Sequence, residues 1–202
     1  MILKAFSSRH HTLLFDMDRE FVEAVDEQEE FSFIAGFNLF DEENEKAVAT
    51  VCGIFFDEAK ILNEGEDIVE LADMLDVDVY GAMDALSSSK IYNQEKSPDK
   101  EWMSLFSCYL QRVYVYPEYR NTGIARYIFE NMEQVFTHCF NTPINSFVIF
   151  PKPQQPDVND NWDNSVDTDG SMLKRMLQVI KKDGYKQIGK TGYYAKNCAA
   201  EK

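Results

Sequence analysis

The stretch VYVYPEYRNTGIARYIF, residues 113–129, has the residue types and spacing to hold an anion. Val113, Tyr114 and Val115 read as the end of a strand, and Pro117, which has no N–H to donate, stops its pairing. Arg120 to Ala125 then turn into a helix whose apolar stripe takes in Ile124, Ile128, Met132 and Val135. The first amides of such a helix lack internal partners and lie at the positive end of its dipole, so together they form an anion site. Gly123 leaves room for a phosphate to approach the backbone, Ala125 keeps the next position small, and Arg120 and Arg126 add charge at the rim. One glycine between a strand and a helix is equally the mark of any tight turn, and on these residues alone both readings stand.

The elements that must position this stretch can be read outward from it. Residues 2–15 read as a first strand, followed by a helix over 19–29 capped by Asp18. FSFIAGFNLF and AVATVCGIFF, residues 31–40 and 47–56, are β-branched and aromatic runs joined by DEENEK, which predicts a hairpin. Gly36 and Gly53 inside those runs point to bulges or close backbone approach. Residues 57–101 form a helical acidic insertion, with Ile68, Leu71, Ala72 and Leu75 on one stripe and a break near 76–78. The insertion faintly resembles a helix-turn-helix but has too few basic residues to meet a phosphate backbone. INSFVIF at 144–150 reads as a buried strand, and 151–170 as a long polar loop in which Trp162 serves as a lid or a pin. A helix over 171–182 and a hairpin of 185–188 with 193–196 follow. The expectation is one α+β domain over 1–202.

Charge is unevenly spread. Residues 1–101 carry 25 acidic and 8 basic side chains, whereas 102–202 carry 10 and 12, within a formal net charge of −15. A polyanionic ligand suits the second half and a cationic one the first, although acidity also simply keeps a protein soluble. Nucleic-acid binding is disfavoured for lack of a basic surface. No apolar run approaches a membrane span, and nothing at the start reads as a secretory leader. Cys52, Cys108, Cys139 and Cys198 are scattered and read as free thiols of a cytoplasmic protein, with no metal site expected; His10 and His11 would point to opposite faces of a strand and make poor joint ligands.

The full string is more specific than its glycine. V-x-P-E-Y-R-x-x-G-I-A resembles the acetyl-CoA-binding motif of the GNAT acyltransferase superfamily, in which Arg or Gln is followed two residues later by Gly and then by Gly or Ala. Here these positions are Arg120, Asn121, Thr122, Gly123, Ile124 and Ala125. The element order around them is also similar. The resemblance implies a mixed, mostly antiparallel sheet flanked by helices, whose fourth and fifth strands splay apart to admit the co-substrate. It further implies that backbone groups of Val113 and Val115 pair with the pantetheine arm, with Tyr114 between them. Amides of Thr122 to Ala125 would cradle the pyrophosphate, and no metal is required.

Two positions depart from the family's pattern. The strand carboxylate that serves many members as general base corresponds to Tyr109, and Gln111 two residues on is no base either. The tyrosine that often acts as general acid corresponds to Ile180, and an asparagine earlier in that helix to Leu173. Tyr109, Tyr185 and Tyr193 are then the candidate proton donors, each equally an ordinary packing residue. The leading expectation is an acyl-CoA-dependent N-acyltransferase that moves acetyl to a primary amine of a cationic small molecule, peptide or protein by direct attack. The alternative is a non-catalytic member docking a basic partner through its acidic half; a third reading, an acidic mimic of nucleic acid, requires a continuous carboxylate stripe. Oligomeric state is not written in the sequence.

Overall fold

The aromatic hairpin forms the middle of the molecule. In the computed structural model, which describes residues 2–6, 12–16, 31–41, 46–89, 105–156, 162–163, 167 and 169–198, β3 (Ser32–Asp41) and β4 (Lys46–Asp57) pair antiparallel. β1 (Ile2–Phe6) and β2 (Thr12–Asp16) extend one side of them. The single first strand expected over 2–15 is thus two antiparallel strands, with Ile2 opposite Asp16, because polar Ser7 to His11 interrupt the apolar run. The helix expected over 19–29 lies outside the described residues.

On the other side of β4 come β5 (Phe106–Val115) and β6 (Ile144–Ile149). Later in the chain, β9 (Lys186–Gln187) and β10 (Tyr194–Asn197) close the sheet in the order β1-β2-β3-β4-β5-β6-β10-β9. All neighbouring pairs are antiparallel except β5 with β6. This is the mixed, mostly antiparallel sheet expected from the sequence.

Helices cover both faces. On one face α4 (Ile124–Phe140) and α5 (Ser171–Lys182) bury Ile128, Met132, Phe136 and Ile180 against Phe37, Phe55, Leu110 and Phe147. Phe55 meets Phe136 edge-on at 4.8 Å and Phe140 at 5.0 Å, and each such ring contributes about 1.5–3 kcal/mol on burial. On the opposite face α1 (Glu58–Glu64), α2 (Ile68–Asp73) and α3 (Val77–Ser87) bury Ile61, Ile68, Ala72, Val79 and Met83 against Ile54, Phe56, Tyr109 and Val148. The segment expected to be helical therefore packs on the sheet. The break falls at 74–76, slightly ahead of the expected 76–78, and Leu75 leaves the buried stripe at 43% exposure because α2 has already ended. Asp57, Asp67 and Asp76 cap the three helices through their carboxylates. Part of the first half's acidity is therefore spent on local structure.

Two features shape the β5–β6 pair. Across β4, Cys52 faces Arg112 and Gly53 faces Leu110, so Gln111 is an extra residue. This bulge resets the alternation: Cys108 and Leu110, and beyond the bulge Val113 and Val115, all pack toward α4 and α5. Both strand glycines are sterically required, as a Cβ on Gly53 would lie 2.6 Å from Cys108 Sγ and one on Gly36 2.4 Å from the Val51 carbonyl oxygen. At the closed end, the buried Glu58 carboxylate accepts from Ser107 Oγ and from Asn145 Nδ2 at 3.0 Å, while Ser107 and Ser146 hydroxyls are 2.7 Å apart. One side chain at the start of α1 thereby ties β5 to β6. Glu58→Ala leaves these groups unsatisfied and is expected to cost about 2–4 kcal/mol; thermal unfolding should show Tm lower by several degrees, and an unchanged Tm would remove the tie from the argument.

Candidate functional site

Beyond Leu110, which faces Ile149, β5 and β6 no longer pair. The Tyr116 N–H donates to the Val48 carbonyl on the β4 side at 3.0 Å. Backbone groups alternate along a strand, so those of Val113 and Val115 point the other way, into the gap. The Val115 carbonyl is taken there by Arg120 Nε at 3.0 Å, which leaves the N–H and C=O of Val113 and the N–H of Val115 along an edge that no strand covers among the described residues. A cavity of about 190 Å³ occupies the gap, and its walls come from both faces of the sheet. Leu110, Val113, Ile149 and Met176 belong to the side of α4 and α5, whereas Asp78 and Tyr109 belong to the side of α1 to α3. One cavity can be lined from both faces only where the sheet is open, so the gap is a hole through it.

On the α4 and α5 side the hole meets a second cavity of about 380 Å³. Val113, Val115, Arg120, Asn121, Gly123, Ile124, Ala125 and Arg126 line it, which gathers eight of the ten residues singled out from the sequence. Tyr114 lines the adjoining cavity instead. Thr122 turns its hydroxyl to the Tyr119 carbonyl at 2.5 Å. Gly123 stands just before α4 at φ +94°, a conformation that disfavours any side chain, and the space where a Cβ would sit is open. No side chain caps this helix, and its first bond runs from the Tyr127 N–H to the Gly123 carbonyl. The start of α5 is different: Asp167 accepts from the Met172 and Leu173 amides at 3.0 and 2.9 Å, and Asp169 from Ser171 at 2.9 Å. Of the two long helices over this face, one begins with carboxylates already in place and the other with free donors.

Sequence reading missed the α5 wall. Arg175, Met176, Gln178, Val179 and Lys182 complete the larger cavity, so four cations, Arg120, Arg126, Arg175 and Lys182, line the cavity that the start of α4 opens into. Arg126 shares an exposed ion pair with Glu130 at 2.6 Å, a contact of little net worth that an incoming anion can replace. The signal was present in the spacing, since residues 175, 178, 179 and 182 recur on one helical face.

The three tyrosines separate. Tyr109 lines the hole and is nearly buried; burial raises its phenol well above the ordinary value, and the charges of Asp78 and Asp76 add to this. It is therefore a neutral hydrogen-bond donor, never a base near neutral pH. Tyr193 packs on Phe150 at 5.1 Å between ring centres and donates to the Asp78 carbonyl at 3.3 Å; partial burial also raises its phenol. Tyr185 is not brought to the gap. It lies in the core against Phe129 and lines neither cavity, and its buried hydroxyl has no hydrogen-bond partner among the described residues. Ile180 is fully buried, and Leu173 donates its amide to Asp167. Trp162 pairs through its backbone with Pro156, in the two-residue strands β7 (Gln155–Pro156) and β8 (Trp162–Asp163).

The arrangement can bind a polyphosphate. Inorganic pyrophosphate is expected to raise the Tm of the protein, and the double change Arg175→Ala with Lys182→Ala to weaken its binding about tenfold or more, roughly 1.4 kcal/mol. Calorimetry that finds equal affinity in the two proteins removes α5 from the site.

No family model matches this sequence, and no curated protein matches it. Among solved structures, it is similar to an agmatine N-acetyltransferase mutant in its apo form, at 11% identity and a TM-score of 0.37 over 80% of this chain and 73% of that one. It is also similar to the Drosophila melanogaster polyamine N-acetyltransferase, an enzyme that catalyses the formation of N-acetylagmatine, at 11% identity and a TM-score of 0.37 over 80% and 74%. Likeness at this level carries no argument about activity, which rests on the geometry above.

Proposed function

We propose that this chain is an acyl-CoA-dependent N-acyltransferase that takes acetyl from acetyl-CoA to a primary amine of a cationic small molecule, peptide or protein. The observation that carries the reading is a gap in the sheet whose cavity shares its lining with a second one, formed by an uncapped helix start and four cations. The donor set fits acetyl-CoA. Amides of Thr122 to Ala125 with Arg120, Arg126, Arg175 and Lys182 would hold the pyrophosphate. The free backbone groups of Val113 and Val115 would hold the amides of the pantetheine arm as a neighbouring strand would. Bound there, the thioester would supply an acyl group: the acceptor ammonium first loses one proton to solvent, its nitrogen then forms the new C–N bond as the C–S bond breaks, and a second proton from that nitrogen leaves on the sulfur as CoA thiol. The protein's part is alignment and polarisation, with the Val113 N–H in the gap and the neutral Tyr109 phenol as donors. We read residues 1–202 as one domain at work in the cytoplasm.

The second reading, a GNAT-fold protein that binds without turnover, is favoured by Tyr109 and Ile180, which put no base and no acid at the positions the resemblance marks. Two measurements separate the readings. Acetyl-CoA should bind the wild type with at least about tenfold higher affinity than Gly123→Glu, which sets a carboxylate in the cradle. Equal affinities would falsify the cradle. Thiol release from acetyl-CoA with any amine of a broad panel ends the non-catalytic reading, whereas tight binding without release establishes it.

A further inference from the structure

The elbow between α2 and α3 is apolar where solvent should make it polar. Met74 is 54% exposed and Val77 77%, and Leu75 and Tyr80 are partly exposed at 43% and 38%. Exposed Asp73, Asp76, Asp78 and Asp84 are interleaved with them. Asp76 spends its carboxylate on the α3 cap, but none of these four enters an ion pair among the described residues. Apolar side chains rimmed by unpaired carboxylates are the surface that a basic, partly apolar peptide would cover.

This surface is continuous with the gap. Asp78 lines the hole through the sheet beside Tyr109, and among the described residues that do so it is the one carboxylate. Its position is fixed from two sides. Its amide donates to Asp76 at 2.7 Å, and its carbonyl accepts from the Tyr193 hydroxyl. The latter contact depends on Gly81, because a Cβ there would come within 2.4 Å of that hydroxyl. Arg112, Arg120 and Lys152 line the same hole, Arg120 with its Nε held at the Val115 carbonyl. Against these three cations Asp78 is the one carboxylate lining it among the described residues, so the mouth offers a partner to one ammonium, at Asp78, and opposes a second positive charge inside it. Further basic groups of the acceptor must then stay outside, where Asp73, Asp76 and Asp84 lie. A small amine would leave the exposed Met74, Leu75 and Val77 unused.

We propose that the acceptor is a lysine-bearing basic peptide segment that docks on the α2–α3 elbow and presents its ammonium to Asp78 at the mouth of the hole. As an acceptor it rests on the transferase reading above; as a docked partner it does not.

The test is calorimetry on the whole chain in the presence of CoA, with the end-blocked peptide LRGKLR, its Lys→Ala counterpart and 1,4-diaminobutane as probes. LRGKLR should bind and should weaken in high salt. Losing its lysine, or the Asp78→Asn change, should weaken binding about tenfold or more, and Val77→Ser about fivefold. Asp78→Glu should bind within about threefold of the wild type, and Leu62→Ser, an exposed apolar change on α1, should bind as the wild type does. Circular dichroism of each variant separates lost docking from lost folding. No binding of LRGKLR, equal binding by Asp78→Asn, or 1,4-diaminobutane binding as tightly as the peptide overturns the proposal. A parallel titration with acetyl-CoA reports on the cofactor reading by itself. If the peptide docks with these sensitivities while acetyl-CoA gives no heat, the docking surface stands and the transferase reading falls.

Discussion

A parallel strand pair can open at one end only if the other end is held. β5 and β6 pair for a few residues and then part after Leu110, and the residues that hold the closed end come from three elements. Glu58, at the start of α1, reaches Ser107 on β5 and Asn145 on β6. A buried carboxylate is tolerated only when its oxygens are satisfied, so this contact fixes the two strands relative to each other as well as to α1. At the open end the bulge at Gln111 turns Val113 and Val115 toward α4 and α5. Pro117 begins a short 3₁₀ turn that leads the chain out of the sheet. The uncovered edge of β5 is thus built by the residues on either side of it.

That opening organises the charges. The α1 to α3 layer is acidic and the groove between α4 and α5 is basic, and the sheet separates them everywhere except at the hole. Helix starts show the same division. Those of α1, α2, α3 and α5 are closed by aspartate, and that of α4 is left open. Leaving it open forgoes about 1 kcal/mol of capping, and the same amides then remain for a ligand. The Gly123 conformation at φ +94° is part of that arrangement, since a residue with a side chain would be strained there.

Local patterns were legible in the sequence and long-range ones were not. The cradle could be read because strand end, proline, glycine and helix lie within a dozen consecutive residues, each with a conformational preference of its own. The aromatic hairpin was equally plain, and Gly36 and Gly53 marked close backbone approach because nothing else tolerates it in a strand. Arg175 and Lys182 were present as a helical face, but nothing local says what that face looks onto. The Glu58 tie joins residues far apart in the chain, and Glu58 itself was one acid among many. The division of Ile2 to Phe15 into two strands was missed because a polar break inside an apolar run does not announce its register.

The same geometry explains how the candidate site can lack a strand carboxylate. A base on β5 at Tyr109 would be buried beside Asp78, and two carboxylates so placed would raise each other's affinity for protons. A phenol in that position stays neutral for the same reasons, burial first and the neighbouring aspartates second, and neutrality suits a hydrogen-bond donor. The negative charge is instead supplied from the other layer, by Asp78 at the mouth, where water can reach it. On the proposed transferase reading, proton removal from an amine would need only solvent access, and the hole would provide that on the acidic side. What the fold would supply on that reading is the alignment of two reactants across the sheet, and this depends on the strand gap rather than on any one titrating group.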